Sequence, residues 1–169
     1  TVLSATTISL SQEALLFFDS YSVNLFSQFF KLLMAAATTI LLVFTKEHHG
    51  IKQENKAEYY LFLFMSLLGL MMLVSSVELI AIFISLELSS FAVYVMVPMR
   101  SQTSTQKLQS EAAIKYLLFG VMATGFLLFG MSYLFGLTGS TYLNVIANKL
   151  TYMFNQPAAV VGMVMVMVG

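Results

Sequence analysis

The sequence predicts an all-α protein, a polytopic transmembrane helical bundle with about four full spans and the start of a fifth. Three observations carry that expectation. Hydrophobic residues make up 59% of the 169 and charged residues only 9%, against roughly 45–50% and about 25% in a soluble domain. The mean hydropathy is +0.85. The apolar residues also fall in runs long enough to cross a bilayer, whose hydrocarbon core of about 30 Å needs about 20 helical residues. A soluble sphere of this length has too much surface to hide them, and disordered chains are polar and charge-rich. Lys+Arg and Asp+Glu balance at 8 each, so no net field steers the chain toward nucleic acid.

The first run, 25–44, contains FSQFFKLLMAAATTILLVF. The second, Tyr59 to Pro98, is about 40 residues long and as one straight helix would measure about 60 Å, twice the hydrocarbon thickness. It must fold back, and Ser75-Ser76-Val77-Glu78 is the polar cluster near its centre. That gives spans at 59–75 and 79–98. A fourth span, 112–135, opens on Ser110-Glu111, with Glu111 favoured by the helix dipole, and closes at Gly136. The stretch 136–157 reads as a loop. A fifth apolar run, 158–169, follows Pro157 and rises only about 18 Å, little more than half a crossing. With no Met at position 1 and a half-span at the other end, the chain reads as processed, renumbered or a piece of something larger. Residues 1–12, TVLSATTISLSQ, lack the basic region and apolar core of a secretory signal.

Loop charges set the orientation. Lys46, Lys52, Lys56, Arg100 and Lys107 fall on the side of loops 45–58 and 99–111, and Lys149 on the side of the Glu78 turn. Five against one places the basic loops on the cytoplasmic or matrix face.

Three ionisable residues lie within spans: Lys31, Glu87 and Lys115. Glu87 follows Glu78 by nine residues, about 13 Å of helix, which brings it near the midplane. A central acidic residue costs roughly 2.5–3.5 kcal/mol on insertion scales, so it marks an ion or proton path more often than a chance position. The plain alternative is a protonated carboxyl bonded to a neighbouring helix. Lys115, about one turn into its span, either snorkels to the interface or forms a staggered pair with the deeper Glu87 on the adjacent helix. Lys31, flanked by Phe29, Phe30 and Leu32, reads as a snorkelling interface charge, and Glu78 as a helix-start residue whose turn satisfies free N–H groups. Adjacent His48 and His49 on a polar loop, with no Cys in the chain, make a poor metal site. Gly120, Gly125, Gly130 and Gly136 suit close helix packing. No nucleophile–base pair, phosphate loop, dinucleotide fingerprint or haem-ligand pair falls inside a span, so the chain by itself is expected to do no covalent chemistry and to hold no cofactor or metal.

The segments IAIFISLELSSFAVYVMVP at 80–98 and SEAAIKYLLFGVMATGFLLFGMSYLFGLTGST at 110–141 resemble the subunit 2 family of respiratory complex I, whose bacterial members are NADH-quinone oxidoreductase subunit N. The specific elements are an acidic residue in an LEL context, EAxxKY opening the next helix, and a glycine-studded helix ending in FG-xTG. A weaker likeness reaches back through FDSYSVNLFSQFFKLL at 18–33 and KAEYYLFLF at 56–64. The resemblance implies an antiporter-like fold of two inverted repeats, each with a broken helix bearing a buried charge. It assigns Glu87 to the family's buried glutamate, Lys115 to the lysine opening the next helix, and Glu78 to the acidic or polar residue that starts the glutamate's helix. In the family a broken helix carries a central lysine in a motif of the form G-L-x-F-K, and this chain stops at Gly169, where that motif would begin.

What the resemblance implies is a non-redox, core membrane-arm subunit of NADH:ubiquinone oxidoreductase, contributing to proton translocation coupled to quinone reduction. Its partners would be other membrane-arm subunits, the lipid bilayer and a second chain carrying the rest of the subunit. Flavin, iron–sulfur clusters and quinone would belong to other subunits. Abundant Phe and Met without Trp or Cys suits the mitochondrial inner membrane, with the bacterial plasma membrane as the alternative. Two competing readings stand beside it: a structural subunit with an inert buried Glu87–Lys115 ion pair, and a cation/proton antiporter-type subunit of a related complex. Against the latter, related subunits usually carry Pro after the glutamate where this chain has Leu88.

Overall fold

A computed structural model describes residues 14–46, 55–99, 106–153 and 155–169. Among the described residues, a short antiparallel hairpin, β1 (Ala14–Leu16) and β2 (Tyr21–Val23), precedes six α-helices. These are α1 (Leu25–Lys46), α2 (Lys56–Ser75), α3 (Leu79–Met96, continued by a 3₁₀ turn at Val97–Met99), α4 (Gln106–Thr138), α5 (Leu143–Met153) and α6 (Pro157–Val168). Four of them, α1 to α4, are long and apolar enough to cross a membrane, and α6 is a shorter apolar helix. The all-α transmembrane class is therefore as predicted.

The long apolar run does break at the serines. Ser76 and Glu78 take extended backbone angles (φ −74°, ψ 130° and φ −125°, ψ 142°) that end α2 and start α3. Pro157 occupies the first turn of α6, where its missing N–H costs nothing and its fixed φ suits the helix. On α1, two hydroxyls are satisfied by the helix that carries them: Thr38 donates to the Met34 carbonyl and Thr39 to that of Ala35, both at 2.8 Å. Such back-bonding lets a hydroxyl sit where no water is available.

Between helices the contacts run through small residues. A Cβ built on Gly69 of α2 would lie 2.7 Å from the Ser89 nitrogen and 2.9 Å from the Ser85 carbonyl oxygen of α3. Ser66 and Ser89 hydroxyls meet at 3.3 Å beside it, and Ser85 and Ala92 are buried. On α4, Gly130 meets α6 just as closely, while Gly120 lies under the Tyr94 ring of α3. Gly125 and Gly136 face open space, so only two of the four expected packing glycines serve that purpose. Lipid tails are as apolar as Leu, so close backbone approach rather than burial of bulk drives such contacts. The larger apolar side chains accordingly point outward, Phe119 (72% exposed) and Val121 (60%) among them. The buried apolar cluster of Leu79, Leu127, Met131, Leu134 and Ile146 joins α3, α4 and α5.

Two elements differ from expectation. The stretch 136–157 contains α5, whose apolar residues Leu143, Ile146, Leu150 and Met153 recur at helical spacing, burying Ile146 while the opposite face stays polar. Lys149 anchors it by donating to the last-turn carbonyl of Thr138 at 2.5 Å, a cation at a helix C-terminus. The hairpin is the other. Its tip holds Phe17, Phe18 and Asp19 at φ 54°, 56° and 64°, a left-handed run unusual for bulky residues. It is held from outside by the Tyr142 hydroxyl, which donates to the Phe18 carbonyl at 2.8 Å. Helix ends also shift: α2 begins at Lys56 rather than 59, and α4 at Gln106 rather than 112.

Candidate functional site

Glu87, Ser90 and Tyr94 share one face of α3 at helical spacing, opposite Tyr116, Gly120 and Thr124 on one face of α4. The Thr124 hydroxyl donates to Glu87 Oε1 at 2.7 Å and lies 3.0 Å from the Gly120 carbonyl of its own helix. Tyr94 hydrogen-bonds Ser90 and lies within electrostatic reach of Glu87. Its ring packs edge-on against Tyr116, centroids 5.1 Å apart. Gly120 is needed there because any Cβ would collide with the Tyr94 ring. The result is a polar seam between two otherwise apolar helices, with the half-buried carboxylate of Glu87 at its deeper end. A hydroxyl bonded to a carboxylate gives a short, charge-assisted hydrogen bond in a low-dielectric setting.

Lys115 is not in this seam. Its ammonium bonds Glu111 Oε1 at 2.5 Å, one turn away on the same helix, with both side chains more than half exposed (64% and 57%). The expected staggered pair with Glu87 is thus not formed. The reason is register: α3 and α4 run antiparallel with Tyr94 against Tyr116 and Gly120, so Glu87, two turns deeper, meets Thr124 instead. Lys115 and Thr124 are nine residues apart, about 13 Å along the helix. An exposed pair at this spacing contributes about 0.3–0.5 kcal/mol, so Lys115→Ala is expected to leave the thermal unfolding of the detergent-solubilised protein within about 0.5 kcal/mol of the parent. A larger loss would mean that Lys115 has a buried partner.

Glu78 occupies the N-cap position of α3, but its carboxylate makes no capping bond, a correction to its expected role. Oε2 accepts from the Ser20 hydroxyl and Oε1 from the Thr141 hydroxyl, each at 2.7 Å. Backbone bonds frame the same point: Val77 N–H to the Ser20 carbonyl (3.0 Å), Leu79 N–H to that of Thr141 (2.9 Å), and Leu143 N–H to that of Val77 (3.0 Å). Ser76 likewise does not cap; its hydroxyl donates back to the Met72 carbonyl at 2.9 Å. Hairpin, α2–α3 turn and α4–α5 turn therefore meet at one end of the bundle. Lys31 is half-buried on α1, and Lys115–Glu111 is the sole ion pair among the described residues. Nor do the described residues contain a group of three His, Cys, Asp or Glu fit to hold a metal. His48, His49, Lys52 and Arg100 lie outside the described residues.

Residues 76–169, more than half of the chain, match the model of a family described as NADH:quinone oxidoreductase/Mrp antiporter, TM. The chain belongs to this antiporter-like family. The match begins at the α2–α3 turn and takes in both Glu78 and the Glu87 seam. Among curated relatives, NADH-quinone oxidoreductase subunit N 2 of Opitutus terrae is 43% identical over 99% of this chain and 35% of its own length. NADH-quinone oxidoreductase subunit N of a Geobacillus species is 39% identical over 89% of this chain and 31% of its own. The chain spans about a third of the length of these relatives, and the resemblance read from the sequence to the subunit N family holds. Among solved structures, respiratory complex I from Thermus thermophilus with bound aureothin superposes with a TM-score of 0.73 at 25% identity, over 99% of this chain and 34% of the other. An archaeal membrane-bound sulfane sulfur reductase gives 0.80 at 18% identity over 98% and 35%, a likeness of fold alone.

Within this antiporter-family chain, sequence reasoning missed Thr124 and Tyr94. The signal was present: a Thr in an apolar helix eight residues past a Tyr, opposite a Glu–Ser–Tyr stripe at positions 87, 90 and 94. Only the α3–α4 register turns it into a site.

Proposed function

We propose that this chain is part of a membrane-arm subunit of a proton-translocating NADH–quinone oxidoreductase, in which Glu87 is a protonatable relay. The observation that carries the reading is the Glu87 carboxylate deep in a span, bonded to a hydroxyl and with no Lys or Arg paired to it among the described residues. Such a group is costly to keep ionised without a cation. The cation that pairs with it would come from the part of the subunit that this third of the relatives' length does not cover, whether in the same polypeptide or in a second chain. At about 4 Å and an effective dielectric near 20, such a pair interacts by about 4 kcal/mol, enough to gate proton loading by bringing the partners together or apart. Lys115 and Glu111, exposed near the 99–111 loop, would stand at the mouth of the path on the basic side.

The names of the relatives support this assignment, as does the Thermus structure. The other membrane-arm subunits would be the partners, with flavin, iron–sulfur clusters and quinone residing elsewhere in the complex. Opitutus terrae and Geobacillus, the sources of the two relatives, are bacteria, so the bacterial plasma membrane fits better than the mitochondrial inner membrane. An inert Glu87–Lys115 ion pair has no support, since Lys115 is engaged by Glu111.

The test is Glu87→Gln in the assembled complex in sealed membrane vesicles. NADH oxidation and assembly are expected to persist while the proton-to-electron ratio falls by the share this subunit carries. A ratio equal to that of the parent removes Glu87 from the path.

A further inference from the structure

We infer that Thr124 is the positioning residue for the Glu87 carboxyl, able to serve both its protonated and its ionised form without moving a heavy atom. This rests on the proposed relay role of Glu87 and adds the group that holds it. The Thr124 oxygen has one hydrogen and two acceptors within reach, Glu87 Oε1 at 2.7 Å and the Gly120 carbonyl at 3.0 Å. With Glu87 ionised, the hydroxyl hydrogen points to Oε1. When a proton arrives on Oε1, the new O–H donates to the Thr124 oxygen, and the threonine hydrogen rotates about its Cβ–Oγ bond to the Gly120 carbonyl. One proton is gained by the carboxyl, none leaves the threonine, and no covalent bond besides the new O–H changes. Each form keeps a partner in a span where an unmet polar group cannot turn to water.

The seam fixes the rotor. Gly120 presents its carbonyl with no side chain in the way, because the Tyr94 ring occupies the place of a Cβ. Tyr94 is the titratable group within electrostatic reach of Glu87 on its own helix, and from α4 Tyr116 reaches the Tyr94 ring. On α2, the other helix packed against α3, the titratable residues Lys56, Glu58, Tyr59 and Tyr60 all lie in its first two turns. At the crossing itself α2 offers Ser66 and Gly69.

The test compares Thr124→Val, Thr124→Ala and Thr124→Ser with Glu87→Gln in the whole complex in vesicles. Two readouts are followed, the pH profile of proton pumping and the infrared carbonyl stretch of the protonated carboxyl, identified by its loss in Glu87→Gln. A bond to the ionised form is worth roughly twice one to the neutral form. Val and Ala are therefore expected to move the pumping profile toward alkaline pH by roughly one unit. They should also raise the carbonyl frequency, and Ser should restore both. Parental profile and frequency in Val and Ala, with pumping lost in Glu87→Gln, overturn the role of Thr124 and leave the relay standing. Normal pumping in Glu87→Gln overturns the relay, and the carbonyl frequency alone then decides whether Thr124 holds the carboxyl. If Val, whose methyl replaces the hydroxyl, does not assemble, Ala only removes atoms and carries the comparison with Ser.

Discussion

Gly130→Val is expected to unseat α6 from α4 and to lower the stability of the detergent-solubilised protein by about 3 kcal/mol or more, beyond the usual range for overpacking. A Cβ at this position would lie 2.7 Å from both the Gly162 carbonyl oxygen and the Val166 nitrogen, and 2.8 Å from Val166 Cγ2. Two of those three atoms are backbone, so no rotamer change relieves the collision and the helices must part. The facing residues leave no slack: a Cβ on Gly162 would in turn lie 3.0 Å from the Tyr133 Cβ, and Ala159, one turn away, is fully buried. Parting the helices also opens the buried apolar cluster, against which Met163 and Val166 pack. Gly125→Val is the internal control, because a Cβ there meets nothing within 4 Å. Thermal unfolding of both variants separates close packing from helix propensity, which in water favours Val over Gly. Equal stability of the two would mean that α4 and α6 do not approach as described.

Helices α3 and α4 show where sequence reading reaches and where it stops. Span count follows from bilayer thickness and helix rise, and the fold-back at Ser75–Glu78 follows because a 40-residue apolar helix would overshoot the membrane. Glu87 stands out as a costly charge wherever its helix packs. Its partner did not, because which residue of α4 faces Glu87 depends on the register of two helices, and composition is blind to register. The start of α4 illustrates the difficulty. Gln106 to Gln109, before the Ser110-Glu111 start signal, is too polar to read as span, yet the helix begins there, since a backbone already helical keeps its hydrogen bonds on leaving the hydrocarbon. Glu111 stands one turn before Lys115 and gives the lysine a local partner. The hairpin and α5 were missed for a related reason. Neither is long enough to register as a span, and each is held by contacts between distant segments, such as Tyr142 to Phe18, rather than by a local pattern.

Those distant contacts converge on Glu78, and Glu78→Ala is expected to destabilise the protein by about 2–3 kcal/mol, the range for losing hydrogen bonds to a charged group. The carboxylate bonds both the hairpin, through Ser20, and the α4–α5 turn, through Thr141. Removing it leaves two hydroxyl donors to find new acceptors in a half-buried site, while the three backbone bonds around Val77 and Leu79 remain. The loss is therefore partial and local: hydrogen exchange should quicken at Val77, Leu79 and Leu143, whose amides bridge the three segments, and stay unchanged at the Gly69–Ser89 crossing. Glu78→Gln keeps one carbonyl oxygen as acceptor and an amide that can donate to the other hydroxyl, so it should recover about half of the loss. A double-mutant cycle of Glu78→Ala with Thr141→Ala isolates the shared bond, and a coupling of at least about 0.5 kcal/mol is expected for residues in direct contact. Strict additivity would show that the Glu78 and Thr141 side chains do not act together.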